Sequence, residues 1–170
     1  MHVEFSEPYC PIMRQWLLDA AIRMAHERPK VHDGGTYVCM EGPAFSTRAE
    51  SEMHRSWGGD LIGMTGMPEA KLAREAELPY ALLALPTDYD CWRPHEGDDP
   101  EALLSEIIGN VEAATANAIR LIKAALGDAS ILREHESPAQ SALKQAIWTP
   151  REHIADEEID RLGTLWGKYF

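Results

Sequence analysis

Three short apolar runs, Thr36 to Met40, Leu61 to Thr65 and Tyr80 to Leu85, alternate with stretches of helical spacing, and this alternation constrains the fold more than any other feature. Apolar, β-prone runs of that length fit strands better than helices. Strands separated by helices join as βαβ units, which puts them in a parallel sheet covered on both faces. The intervening segments agree. Thr47 followed three residues later by Glu50 is a capping box for a helix that stops at Gly58-Gly59. Pro68 and Glu69 open a helix of good helix formers reaching about Glu77. Ahead of the first strand, Pro11 to about Glu27 carries Ile12, Trp16, Leu17, Ala20, Ala21 and Met24 at helical spacing, with Pro29 just past its end.

Beyond the third run, Pro100 to Leu126 reads as a long amphipathic helix, favoured at its start by Pro100 and Glu101 and stopped by Gly127. Asp128 to Ser137 reads as a linker to a short helix near Ala139 to Ile147 and a last one from about Asp156 to Gly167. The expected organisation is an α/β domain over 1–127 with a helical appendage of the same domain over 128–170. A chain of 170 residues, 45% hydrophobic and 26% charged, is enough for one domain with its own core.

The formal charge of −12 opposes any role that rests on wrapping a nucleic-acid backbone, because that affinity comes from clustered Lys and Arg. A small anionic substrate can still be held by a local site. Cys10, Cys39 and Cys91 lack metal spacing, so reduced thiols are expected, with Cys39 as a small core hydrophobe. The first residues have neither a basic start nor an apolar core, and no apolar run approaches the roughly 20 residues that span a bilayer. A cytoplasmic location is expected.

In open α/β sheets ligands bind outside the carboxyl ends of the strands. The residues just past the three runs are Phe45 with Ser46, Met64 with Thr65, and Asp88 with Asp90. An aromatic plate, a hydroxyl beside free backbone and paired carboxylates would therefore face one pocket, a set that suits a nucleoside. Asp88 and Asp90 admit three readings. They are turn residues bonded to nearby amides, a D-x-D pair for a divalent cation with no accompanying ligand set, or groups that handle a purine. Arg48 and Glu50 read as surface or buttressing pairs before substrate contacts, and the lone His54 and His95 as solvated or packing residues rather than zinc ligands. No metal is expected.

Pro86-Thr87-Asp88-Tyr89-Asp90-Cys91-Trp92 and Glu41-Gly42-Pro43-Ala44-Phe45-Ser46-Thr47-Arg48-Ala49-Glu50-Ser51 together resemble the purine nucleoside phosphorylase family, and within it the methylthioadenosine phosphorylases. Glu7-Pro8-Tyr9-Cys10-Pro11 and Trp57-Gly58-Gly59-Asp60-Leu61-Ile62-Gly63-Met64-Thr65 extend the likeness. It implies an α/β fold with a nucleoside phosphorylase-like sheet flanked by helices, here a partial version lacking the N-terminal strands. It also implies a cytoplasmic pentosyltransferase of purine and methionine salvage that cleaves S-methyl-5'-thioadenosine with inorganic phosphate as co-substrate and no cofactor.

By the same resemblance, Asp88 is the catalytic acid at purine N7 and Asp90 supports it and the exocyclic amino group. Phe45, Ser46 and Tyr89 lie against the substrate, Met64 binds the ribose through its backbone, and Thr65 contacts phosphate. Burial beside a second carboxylate would favour the protonated form of Asp88. Ionised oxygens accept from a 6-amino group but face a 6-oxo group as acceptor to acceptor, so a 6-aminopurine is the better fit.

Two departures stand out. Asp98-Asp99-Pro100-Glu101 is acidic where the family places small apolar residues, and no Arg-His dipeptide or glycine-rich loop ahead of the first strand supplies a phosphate cradle beyond Gly34-Gly35. The partners expected are therefore a nucleoside, phosphate, and either further copies in a homotrimer or a complementary N-terminal half. The alternatives are a non-catalytic nucleoside-binding or assembly subunit and a phosphorylase of other purine nucleosides.

Overall fold

The computed structural model describes residues 1–27, 29–94 and 99–170. Its elements in chain order are α1 (Pro11–Arg23), β1 (Tyr37–Cys39), α2 (Arg48–Ser56), β2 (Leu61–Gly63), α3 (Gly66–Glu75), α4 (Pro100–Leu126), α5 (Ser130–Glu134) and α6 (Asp156–Trp166), with short 3₁₀ turns between and after them. No helix among the described residues is long and apolar enough to cross a membrane. The chain divides into two compact units, one of Met1–Gln15, Pro68–Leu82 and Ser130–Phe170, the other of Trp16–Met67 and Leu83–Ala129.

The second unit holds the sheet. β1 and β2 pair in parallel, with Tyr37 opposite Leu61, Val38 opposite Ile62 and Cys39 opposite Gly63. α2 is the crossover between them, and its start is the expected capping box: Thr47 accepts from the Glu50 amide while the Glu50 carboxylate takes the Thr47 amide at 2.7 Å. The bonds that this carboxylate accepts from the Thr47 amide and, at 2.8 Å, from the Thr47 hydroxyl hold the Glu50 carboxyl below its ordinary range. Gly58, at φ 84°, turns the chain out of α2 in the left-handed region that a side chain disfavours. Asp60 then fixes the register, since its carboxylate accepts from the Thr36 amide at 2.8 Å while its own amide donates to Thr36 at 2.9 Å. The core of this unit gathers Trp16, Ala20, Ala21, Leu121 and Ala125.

The third expected strand is not one. Among the described residues the sheet has two strands, and Tyr80 to Leu85 belongs to no ladder. Apolar alternation makes a segment extended, but a strand also needs a neighbour to receive its amides and carbonyls. In the first unit the Tyr80 carbonyl is taken instead by the Cys10 amide at 2.7 Å.

Two further expectations change. The stretch expected as a linker contains α5, and the helix expected near Ala139 to Ile147 is a 3₁₀ turn, Pro138–Ser141, followed by further turns. A Ser137–Gln140 capping box starts that turn, and Pro138 pre-sets its first residue. Cys39 is half-buried rather than deep in a core, because it sits in a two-stranded sheet.

The rest of the first unit is pinned by two buried charges. The Arg74 guanidinium donates to the Glu7 carbonyl and, at 3.2 Å, to the Glu4 carbonyl, which accounts for part of the Glu7-Pro8-Tyr9-Cys10-Pro11 string as structure. Glu77, 8% exposed, accepts from the Leu143 amide at 3.0 Å, the Tyr169 hydroxyl at 2.5 Å and the Lys168 ammonium at 2.5 Å.

Burial pushes the Glu77 carboxyl up, but the bonds from Lys168, Tyr169 and the Leu143 amide outweigh it and hold it below its ordinary 4.5. Its contribution is therefore present above about 4.5 and lost as pH falls through the lower folded value. Lys168 is raised above 10.5, chiefly by its bond to Glu77, so its contribution holds below that value and is lost at higher pH. A plot of melting temperature against pH should fall on both the acid and the alkaline side. In Glu77→Gln it should lie lower at neutral pH with a flatter acid limb, and an unchanged acid limb would count against this node.

Candidate active site

All the singled-out site residues lie in the second unit, on the loops that follow β1 and β2 and on the segment from Pro86 to Arg93. Phe45 is carried between β1 and α2 and is 83% exposed, so it contributes nothing to a core. Ser46 beside it is half-buried, its hydroxyl 3.6 Å from the Met40 sulfur. Met64 follows β2, and its terminal methyl lies against Gly42, whose φ of 73° and missing side chain let the two strand-end loops approach. Thr65 is exposed immediately ahead of α3, whose second residue donates its amide to the Cys39 sulfur at 3.4 Å.

Asp88 is exposed, and its Oδ1 accepts from the Thr87 hydroxyl at 2.6 Å. The Thr87 carbonyl is in turn held by the Asn110 amide of α4 at 2.7 Å. Asp90 is half-buried and both of its oxygens are engaged: Oδ2 by the Ser51 hydroxyl of α2 at 2.6 Å, Oδ1 by the Cys91 amide at 2.9 Å. The Cys91 thiol then donates to the Ser46 carbonyl at 3.3 Å. A chain from Ser51 through Asp90 and Cys91 to Ser46 thus ties the carboxylate segment to the loop that carries Phe45. Phe45, Thr65 and Asp88 remain exposed, and it is the loops beneath them that are joined.

The burial expected to keep a proton on Asp88 is not supplied by the described residues. An acid role for Asp88 needs cover beyond what the described residues give. Tyr89, 57% exposed, stands edge-on to Trp92 at 5.7 Å with the Arg93 guanidinium 4.3 Å from its ring, while Arg55 lies 3.6 Å over Trp92. This stack stiffens the segment that carries Asp88. Glu50 is absorbed by its cap, Arg48 is exposed, and His54 packs edge-on to Trp57 at 5.8 Å. His95 and Asp98 lie outside the described residues. Among the described residues no group of His, Cys, Asp and Glu is arranged to hold a metal ion.

Ser51, Asn110 and Cys91 are the positioning residues that reading the sequence left without a role. Ser51 is 1% exposed, on a helix whose other residues are polar or exposed, and that inward-facing hydroxyl is the available signal. Ser51→Ala leaves one carboxylate oxygen of Asp90 without its donor. A loss of about 2 kcal/mol in urea unfolding is expected, with a coupling of at least about 1 kcal/mol in a double-mutant cycle with Asp90→Asn. Additive losses would mean that the 2.6 Å bond does not hold the loop.

Comparison with known proteins decides the family. Residues 1–127 match the Phosphorylase superfamily. The chain belongs to that superfamily. It is 46% identical over 169 residues to an S-methyl-5'-thioadenosine phosphorylase of Synechocystis sp., an alignment that takes in 99% of this chain and 51% of that protein. A Geobacter sulfurreducens protein of the same name is 46% identical over 172 residues, covering 99% and 56%.

Among solved structures, a methylthioadenosine phosphorylase from an antarctic soil metagenomic library superposes with a TM-score of 0.83 at 44% identity, over 96% of this chain and 56% of that one. An adenosine/methylthioadenosine phosphorylase of Schistosoma mansoni, a double mutant in complex with adenine, gives 0.66 at 31% identity over 80% and 51%. The fold is thus the α/β fold of nucleoside phosphorylases, and the chain spans about half the length of the curated relatives it matches.

Proposed function

We propose that this chain provides the purine and ribose side of an S-methyl-5'-thioadenosine phosphorylase, which converts the nucleoside and inorganic phosphate to adenine and 5-methylthioribose 1-phosphate. One observation carries the reading: the hydrogen-bonded chain from Ser51 to Ser46 joins the segment bearing Asp88 and Asp90 to the loop bearing Phe45. The 40–46% identity to proteins of that name over nearly the whole chain supports the choice of nucleoside.

A phosphate oxygen attacks ribose C1', and the C1'–N9 bond breaks with its electron pair going to the base. Asp88 gives a proton to N7 as that charge develops. The hydrogen lost by phosphate in becoming a monoester balances the one adenine gains, and Asp88 recovers its proton through solvent. Asp90, with both oxygens already bonded, orients the loop and presents acceptor charge to a 6-amino group. Phe45 stacks on the base, Ser46 and Tyr89 border it, and the Met64 backbone takes the ribose.

Thr65 binds phosphate at the start of α3, where a helix N-terminus favours an anion. The remaining phosphate contacts and the cover over Asp88 come from a complementary half of the fold. We place the assembled enzyme in the cytoplasm, in purine and methionine salvage, without a cofactor and as a homotrimer, with residues 128–170 as a helical appendage serving subunit packing.

The test is to supply methylthioadenosine and phosphate with and without a polypeptide carrying the rest of the fold, and to follow adenine. Release is expected only with both polypeptides and phosphate. Binding of adenine without release in the assembled protein would make the chain a nucleoside-binding subunit, and faster cleavage of inosine would move it to the 6-oxopurine enzymes.

A further inference from the structure

α4 carries two apolar faces where a surface helix needs one. Leu103, Ile107, Ala114, Ala118, Leu121 and Ala125 form the inward row, in which Leu121 and Ala125 are fully buried. A second row, Leu104, Ile108, Val111, Ile119, Ile122 and Leu126, continues through Thr115 at steps of three and four, which keeps it on one side of the helix for its whole length. These six side chains are 42–65% exposed. Glu106, Glu112, Arg120 and Lys123 occupy the remaining arc. Soluble proteins seldom leave a contiguous apolar patch larger than roughly a few hundred Å² facing water, and a helix apolar over so wide an arc is ordinarily covered on both sides.

The geometry points to the second row of α4 as the docking face for a polypeptide carrying the other half of the phosphorylase fold. The inference rests on the fold reading above, not on the reaction. Two observations select that occupant over a second copy of this chain. The structure superposes at a TM-score of 0.83 on a chain of which it covers 56%, so nearly half of that fold must pack on surfaces that are open here. β1 and β2 form a two-stranded parallel sheet, an arrangement that is marginal alone and leaves edges for further strands.

The experiment co-expresses the 170-residue chain with a tagged segment of the Synechocystis relative, the part that this chain does not cover, and weighs the purified product by light scattering. The expected result is a complex containing the two polypeptides in equal numbers, reduced at least tenfold in yield by Ile108→Glu or Ile119→Glu and unchanged by Glu112→Lys. All three changes are at exposed positions. As a second readout, the two polypeptides are joined in one chain carrying Ile108→Cys, and thiol labelling at residue 108 is followed by mass spectrometry. Labelling should be at least tenfold slower than in the 170-residue chain alone.

Equal labelling in the two forms would overturn the proposal, as would a complex indifferent to both glutamate variants or a homodimer of this chain that buries residue 108 and excludes the other half. Neither readout depends on turnover. A complex that forms but releases no adenine would fail the catalytic reading and leave the docking face standing.

Discussion

Asp88→Asn in the assembled enzyme is expected to slow adenine release by about 10²- to 10⁴-fold, the range that a positioned proton donor contributes. Asparagine has the shape of aspartate and can still donate a hydrogen bond toward N7, but it has no proton to transfer. The loss should therefore fall on kcat, with KM for methylthioadenosine changed little. Because Asp88 is exposed in this chain and its Oδ1 bond is to its own neighbour Thr87, the variant should keep stability within about 0.5 kcal/mol of the parent. Steady-state kinetics alongside urea unfolding separates the two effects. Near-normal kcat in a stably folded Asp88→Asn protein would remove Asp88 from the chemistry.

The largest stability effect should come from Trp16→Ala, at about 3–5 kcal/mol. Trp16 is 8% exposed, and its indole N–H is shared between the carbonyls of Ala125 at 3.0 Å and Asp128 at 2.7 Å. Ala125 is in the last turn of α4, its carbonyl also accepting the Asp128 amide at 3.1 Å, and Asp128 lies just past the end of the helix. The alanine variant loses the buried ring and leaves both acceptors without that donor. Trp16→Phe keeps most of the ring and should lose only about 1–2 kcal/mol for the bonds. Denaturant unfolding of the two variants gives the split, and a Trp16→Ala loss below about 1 kcal/mol would show that this corner does not hold the second unit.

What could be read in advance was local chemistry. The Thr47–Glu50 box placed α2, and Pro100-Glu101 with Gly127 placed both ends of α4. The failures share a cause. Tyr80 to Leu85 has strand composition, but a ladder depends on a neighbour that composition cannot name. Pro138–Ser141 has a helix start, yet whether one turn becomes several is set by packing.

In the candidate site, the residue types were legible at Phe45, Thr65 and Asp88, because each stands just past a β-prone run. The partners were not. Ser51 reaches Asp90 across 39 residues, and only the folded crossover brings that hydroxyl within 2.6 Å of the carboxylate. The exposure of Asp88 was likewise beyond a one-dimensional reading, since it depends on what lies over the loop.

The account turns on a carboxyl that shares its proton with adenine once the site is covered. Calorimetry of adenine binding to the assembled protein at pH 7, repeated in buffers of different ionisation enthalpy, measures proton exchange directly. Net proton uptake on binding is expected for the parent and should vanish in Asp88→Asn. Tight adenine binding with the same proton balance in both proteins would contradict it.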